Sequence, residues 1–337
     1  MKFASRLALT AVLVIAGLSA PARAAEPDPL LPKETTSIIY VNFRQVLDSG
    51  LVKKYAMEQM KQAMEGEGAQ QVLKELGLDP LKDIDRLTIG LWGKGAEDMN
   101  FAGVVRGKFD PAKLFKAVEA EAKKNPDKVK LVKNGKYTLI KAVNENAQPG
   151  QPKEVYGAVA DEKTIVIGSS EKNVIDSLAR SEAGTTKSEM SNAMTKLMLK
   201  MDEKSTIYMC GLNTSKEVPQ LPPQLGQVFD DPEKLAKQLA NIETISFILN
   251  VTEDISVEIA AGMKDTDAAT EMGGMMEDLV GKAKAFLPFI GSSQPQMKPL
   301  TSEIGKTLKA KSKDKDVVIS LKISGKSIGA ATGKDDQ

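Results

Sequence analysis

Four methionines, Met190, Met194, Met198 and Met201, fall at i, i+4, i+8 and i+11, which places them on one face of a helix. Met272, Met275 and Met276 cluster again further on. Thioether sulfur is a soft ligand suited to Cu(I), and this is the most distinctive pattern in the chain. Leu197 and Leu199 share the first segment, however, and no histidine assists. Methionine is also an ordinary filler of irregular core gaps, so the expectation is packing, with an adaptable apolar groove as the alternative.

Other candidate chemistry is weaker. Asp79, Asp83 and Asp85 crowd one turn, where a hard cation would want several oxygens. Their spacing misses a calcium loop and no Glu closes it, so capping and turn formation are expected. Gly305-Lys306-Thr307 resembles the end of a phosphate loop, but Leu300 stands where the first glycine is needed. Ser169 and Lys172 have the Ser-x-x-Lys spacing, but a Ser ahead of a helix is usually a cap. Trp92 ends an apolar run and reads as core, or as a binding platform if exposed. The lysines from Lys306 to Lys315 interleave with Asp314, which describes a solvated face. With 45 acidic residues some carboxylate pair is inevitable, and no pair stands out as a hydrolytic dyad.

Two absences narrow the choices further. The chain has no His, which removes His-based acid–base chemistry, Ser-His-Asp and Cys-His pairs and the usual zinc ligation. It has one Cys, Cys210, inside a strand-like run from Ser205 to Leu212, so no intramolecular disulfide can form and a packed thiol is expected. No residue is therefore expected to be catalytic or to hold a cofactor or a metal.

The N-terminus reads as a cleavable export signal. Lys2 and Arg6 precede an uncharged apolar run, Leu7 to Leu18, and Ala22 and Ala24 form an A-x-A site, which places cleavage between Ala24 and Ala25. The run is about 12 residues against the ~20 a spanning helix needs. No later stretch qualifies, so the mature chain is expected to carry no transmembrane segment and to work in the periplasm or outside the cell. Losing Lys2, Arg6 and Arg23 from 46 bases leaves 43 against 45 acids. That balance, with aromatics at 4%, offers no basic face or stacking platform for nucleic acid.

The elements that would position any site read as α+β. Thr36 to Phe43, Arg86 to Trp92 and Asn100 to Lys108 are expected strands. Asn42 to Gly77 has helical spacing broken at Gly66 and Gly68, with Gly77 as a stop. Asp110-Pro111 opens a helix with a cap and a proline. Lys128 to Val132, Tyr137 to Ala142, Glu154 to Ala160 and Thr164 to Gly168 form a meander, turning at Asn134-Gly135 and Asp161-Glu162, with a polar loop over Asn144 to Pro152. A second half repeats the order: strand Ser205 to Leu212, a Pro-rich stretch Val218 to Pro223, helix Asp231 to Asn241, hairpin Ile242 to Met263, helix Asp265 to Phe286, and a hairpin of Asp316 to Ile323 with Ser327 to Ala331. The expected organisation is a signal peptide (1–24), a first module (25–185), a second module (186–331) and a flexible tail (332–337). Each module is an antiparallel sheet covered on one face by helices, in the manner of an internal duplication, and the two make either side-by-side sheets or one long curved sheet.

The runs Leu31-Pro-Lys-Glu-Thr-Thr-Ser-Ile-Ile-Tyr-Val-Asn-Phe-Arg-Gln-Val-Leu47 and Gly77-Leu-Asp-Pro-Leu-Lys-Asp-Ile-Asp-Arg-Leu-Thr-Ile89 resemble uncharacterised exported proteins of planctomycete-type bacteria, mainly over the first half. The resemblance implies export and supplies no catalytic residue.

The leading expectation is an exported, non-enzymatic binding or interaction protein whose partner is a protein or a hydrophobic ligand. The alternatives are a periplasmic carrier of a hydrophobic ligand such as lipid and, behind it, a carboxylate-dependent hydrolase. The processed protein should begin at Ala25, and an intact mass that retains any residue before it would move the cleavage site.

Overall fold

In the structure, a computed structural model, residues 24–64, 78–93, 98–143, 145, 147, 152–214 and 231–333 are described. The first half runs β1 (Ser37–Asn42), α1 (Phe43–Asp48), α2 (Gly50–Tyr55), α3 (Met57–Met64), α4 (Pro80–Asp83), β2 (Ile84–Trp92), β3 (Asn100–Gly107) and α5 (Pro111–Lys124). It continues with β4 (Val129–Asn134), β5 (Tyr137–Val143), β6 (Glu154–Asp161), β7 (Thr164–Gly168), α6 (Glu171–Glu182) and α7 (Asn192–Met198). The second half holds β8 (Ile207–Leu212), α8 (Pro232–Leu239), β9 (Ile242–Val251), β10 (Asp254–Met263) and α9 (Thr266–Ser293). A short 3-10 turn (Pro295–Met297), α10 (Lys298–Thr307), β11 (Lys309–Lys313), β12 (Asp316–Ser324) and α11 (Gly325–Thr332) follow.

Local chemistry starts the helices where the sequence suggests. The side chains of Asp110, Asp231 and Asp265 accept the N–H of Lys113, Lys234 and Ala268, and Pro follows the first two caps. The β4–β5 turn uses Gly135 at φ 56°, in the left-handed region where a side chain would be strained.

All twelve strands join one antiparallel sheet in the order β11-β12-β10-β9-β8-β1-β2-β3-β7-β6-β5-β4. The two halves therefore meet edge to edge at β1 and β8, where Tyr40 lies opposite Tyr208 and Ile38 opposite Cys210. Outward from that seam each half presents its first, second, third, last and next-to-last strand, and the first half then adds β5 and β4.

The main core lies on one face of this sheet. Ile38, Tyr40, Val104, Val166, Tyr208 and Cys210 meet Val174 and Leu178 of α6, Met194 and Met198 of α7, and Leu30 and Leu31 of the N-terminal segment. Ala25 opens that segment at 2% exposure, its N–H donating to the Met201 carbonyl at 2.9 Å. A second cluster lies on the other face, where Ala268, Ala269 and Met272 of α9 cover Val317 and Ala261. Helices thus lie on both faces rather than on one, because each face carries apolar side chains that need cover.

Four features differ from the sequence reading. The helical run expected from Asn42 up to the Gly66–Gly68 break is already interrupted at Ser49 and Ala56, which separate α1, α2 and α3. Ser327 to Ala331 belongs to helix α11, whose cap is Ser324, and the partner of β12 is the lysine-bearing β11. Helix α9 continues past Phe286 to Ser293 with Pro288 inside it. The Gly66–Gly68 break, the Gly77 stop, Val218 to Pro223, most of the 144–152 loop and the last four residues of the tail lie outside the described residues.

Met194 is completely buried. Replacing it with Ala should lower unfolding free energy by about 2–5 kcal/mol in urea with an unchanged m-value. A loss under about 0.5 kcal/mol would mean the helix α7 contact contributes little.

Candidate functional site

The distinctive surface is the sheet face opposite the main core. Cross-strand partners share a face, so pairing traces a row along it. From the seam toward one end the row reads Met209, Phe247, Ile259, Ile319 and Ala310. Toward the other it reads Ile39, Ile89, Gly103, Ile167, Gly157, Ile140 and Leu131. No charged or hydrogen-bonding side chain interrupts this row. A parallel row beside it holds Leu321, Val257, Leu249, Ile207, Val41, Leu87, Val105 and Ile165.

The two faces differ sharply in burial. On the core side Ala102, Val104, Leu139 and Val166 are fully enclosed. On the apolar side Met209 is 42% exposed, Ile245 53% and Ile259 40%, and Ile39, Leu87, Ile89, Phe247 and Leu249 are only half-buried. Helix α9 covers the β10–β12–β11 end of this face. Aliphatic side chains left partly in water cost free energy that an apolar partner would recover, at about 25 cal/mol per Å² buried.

A second concavity, of about 870 Å³, sits on the core side at the seam's end, lined by Tyr40, Tyr208, Arg86, Arg106, Asp28 and Lys163 among others. The tyrosine rings stack at 4.6 Å between centroids, 13° from parallel. Burial pushes the ionisation of both phenols up, so they remain neutral, although the Arg86 guanidinium pulls Tyr40 partly back. Arg106 donates to Thr164 Oγ1 at 2.8 Å and pairs with Asp28 at 3.3 Å, while its buried Nε has no hydrogen-bond acceptor. Asp85, also on the lining, is held by Arg44 at 2.7 Å. Two of the carboxylates here, Asp28 and Asp85, thus sit in arginine pairs.

The residues singled out from sequence fall elsewhere. Met190, Met194, Met198 and Met201 are all buried, although helix α7 contains only the middle two, so this stripe packs the core and lines no groove. Met272 is buried and Met275 and Met276 pack beside it. The three aspartates divide: Asp79 caps α4, Asp83 accepts the Asp79 N–H at 2.6 Å, and Asp85 pairs with Arg44. Among the described residues no cluster of three or more carboxylate or thiol groups could hold a metal. Thr307 ends α10, its hydroxyl bonded to the carbonyls of Glu303 and Lys322, so no phosphate loop surrounds it. Ser170 caps α6, and Lys172 pairs with Asp176 rather than with Ser169. Trp92 packs half-buried against the main core. The apolar face itself was written in the alternating strands, but only the pairing register shows that their outward residues align.

No family model and no curated protein matches the chain. Among solved structures, crystal forms of TP0453, a Treponema protein, are similar. Form I has 7% identity and TM-score 0.47 over 91% of this chain and 97% of that one. Form III has 6% identity and TM-score 0.45 over 92% and 98%.

Cys210 faces the main core, and burial pushes its thiol up to about 12. Only the thiolate attacks disulfide reagents. At mildly alkaline pH the native protein should stay unlabelled and the urea-unfolded protein should label completely. Equal labelling rates in the two states would show an accessible thiol.

Proposed function

We propose that this chain is an exported, non-enzymatic binding protein that engages its partner through the apolar sheet face. The observation that carries the reading is the unbroken apolar row with Met209 and Ile259 exposed on it. A partly wet row of aliphatic side chains over the part of the sheet that α9 leaves open is costly for a protein with no apolar partner. Export rests on the signal peptide read from the sequence. The mirrored strand order about the seam, with Tyr40 against Tyr208, supports an origin by internal duplication.

A second reading, a carrier of a hydrophobic ligand such as lipid, draws on the same face, because its aliphatic lining suits acyl chains. Native mass spectrometry of protein gently extracted from its own host separates the two. Co-purifying lipid supports the carrier, and its absence supports a protein partner.

Ile245→Glu with Ile259→Glu places two charges on exposed positions of the face. The pair should weaken binding of an apolar fluorescent probe such as anilinonaphthalene sulfonate at least about tenfold, with melting temperature little changed. Unchanged probe binding would remove this face as the site.

A further inference from the structure

Helix α9 is longer than the sheet edge it covers. Its first half is anchored by Ala268, Ala269, Met272 and Gly273, all buried. Its second half leaves the sheet and packs against α10. There Gly291 lets the helices close: a Cβ at that position would lie 2.8 Å from Oγ1 of the buried Thr301 and 3.4 Å from the Lys298 Cα. Leu287 reaches across to Gly305 in the same seam. The result is a helical hairpin, α9–α10, whose tip is formed by α9 and α10 packed on each other.

The outer side of that tip is apolar and in water. Phe286 is 69% exposed, Phe289 73% and Ile290 39%. With Lys282 they fall at i, i+4, i+7 and i+8, one stripe of the helix, turned away from Val280 and Gly291, which are buried. From Leu279 to Ser302 the sequence has no Asp or Glu, and its charges are Lys282, Lys284 and Lys298. Lys282 shares the stripe of the two protruding phenylalanines, while Lys284 lies across the helix and Lys298 flanks the tip on α10 beside Gly291.

We propose that the α9–α10 tip docks on an anionic phospholipid surface, with Phe286, Phe289 and Ile290 entering the headgroup–acyl boundary and the lysines lying among the phosphates. Aromatic and aliphatic side chains with lysines and no acid are the composition of an interfacial helix. Each lysine near an anionic leaflet adds favourable energy that salt screens. Aromatic side chains that enter the acyl boundary, with lysines near the phosphates, favour a bilayer surface over a wholly apolar partner. The docking is peripheral, since no helix among the described residues is long and apolar enough to cross a membrane. The tip and the apolar sheet face are different surfaces, so either proposal can fail without the other.

Flotation of the mature protein with vesicles tests this. It should float with phosphatidylcholine vesicles carrying about one-third phosphatidylglycerol, more weakly as salt rises, and little with phosphatidylcholine alone. Phe286→Ser with Phe289→Ser should weaken partitioning at least about tenfold. Reversing Lys282, Lys284 and Lys298 to Glu should abolish the preference for anionic vesicles. Both variants change exposed or rim positions, and an unchanged melting curve checks that they are folded. Absence of flotation with anionic vesicles, or equal flotation of the serine variant, would overturn the proposal. So would a dimer in sedimentation equilibrium that the serine variant dissociates, because the tip would then be a contact between copies.

Discussion

Where β1 lies against β8, two stacked tyrosines close the gap between what would otherwise be two separate sheets. Tyr40 and Tyr208 are register partners, both almost completely buried, and their rings lie nearly parallel. A buried aromatic pair of this kind contributes about 0.5–1.5 kcal/mol beyond the area it removes from water. Its larger effect is on topology. Each of these strands would be the exposed edge of a half-sheet, with a row of unpaired N–H and C=O groups. Pairing them satisfies both edges at once and lets one core run beneath both halves, so that helices α6 and α7 clamp strands from each.

That continuity creates the apolar face. A sheet built from two short halves would expose two small apolar patches. Joined at the seam, the halves align their outward residues into one row that crosses from β11 to β4 and a second from β12 to β7. The closed face holds side chains at near-zero exposure and supplies most of the fold's hydrophobic stabilisation. The open face keeps the same residue types half in water. A chain that cannot form an intramolecular disulfide must be held by core burial, which makes apolar side chains left outside the core all the more notable.

Much of the strand content was legible from local pattern. Alternation and β-branched runs located β1, β2, β3, β4 to β7 and β8 to β10 closely, because a strand with one enclosed face must alternate. Asp-Pro caps located α5 and α8. The misreadings came where local signals compete. Ser324-Gly325 is as good a turn as a helix start, and the cap bond to Ser327 decides it. Lys309 to Lys313 looked like a solvated charge run because β11 is an edge strand whose side chains are nearly all exposed. Neither the apolar row nor the arginine pairs of the concavity were legible, since both depend on register and contacts between residues far apart in sequence.

The methionines show why composition alone misleads about a site. The stripe Met190 to Met201 had the spacing of a ligand set or a greasy groove, yet all four side chains are enclosed, filling irregular space between α7 and the sheet. Phe286 and Phe289 carried no such signal, being two aromatics in an ordinary-looking helix. Their meaning comes from where α9 stops being covered. The helix runs beyond its sheet contact, and the side of that length turned away from α10 leaves Phe286, Phe289 and Ile290 in solvent. Function in a chain without histidine or a reactive thiol is thus better sought in what the fold leaves uncovered than in what its residues can catalyse. Here it leaves uncovered one apolar sheet face and one aromatic, basic helix tip.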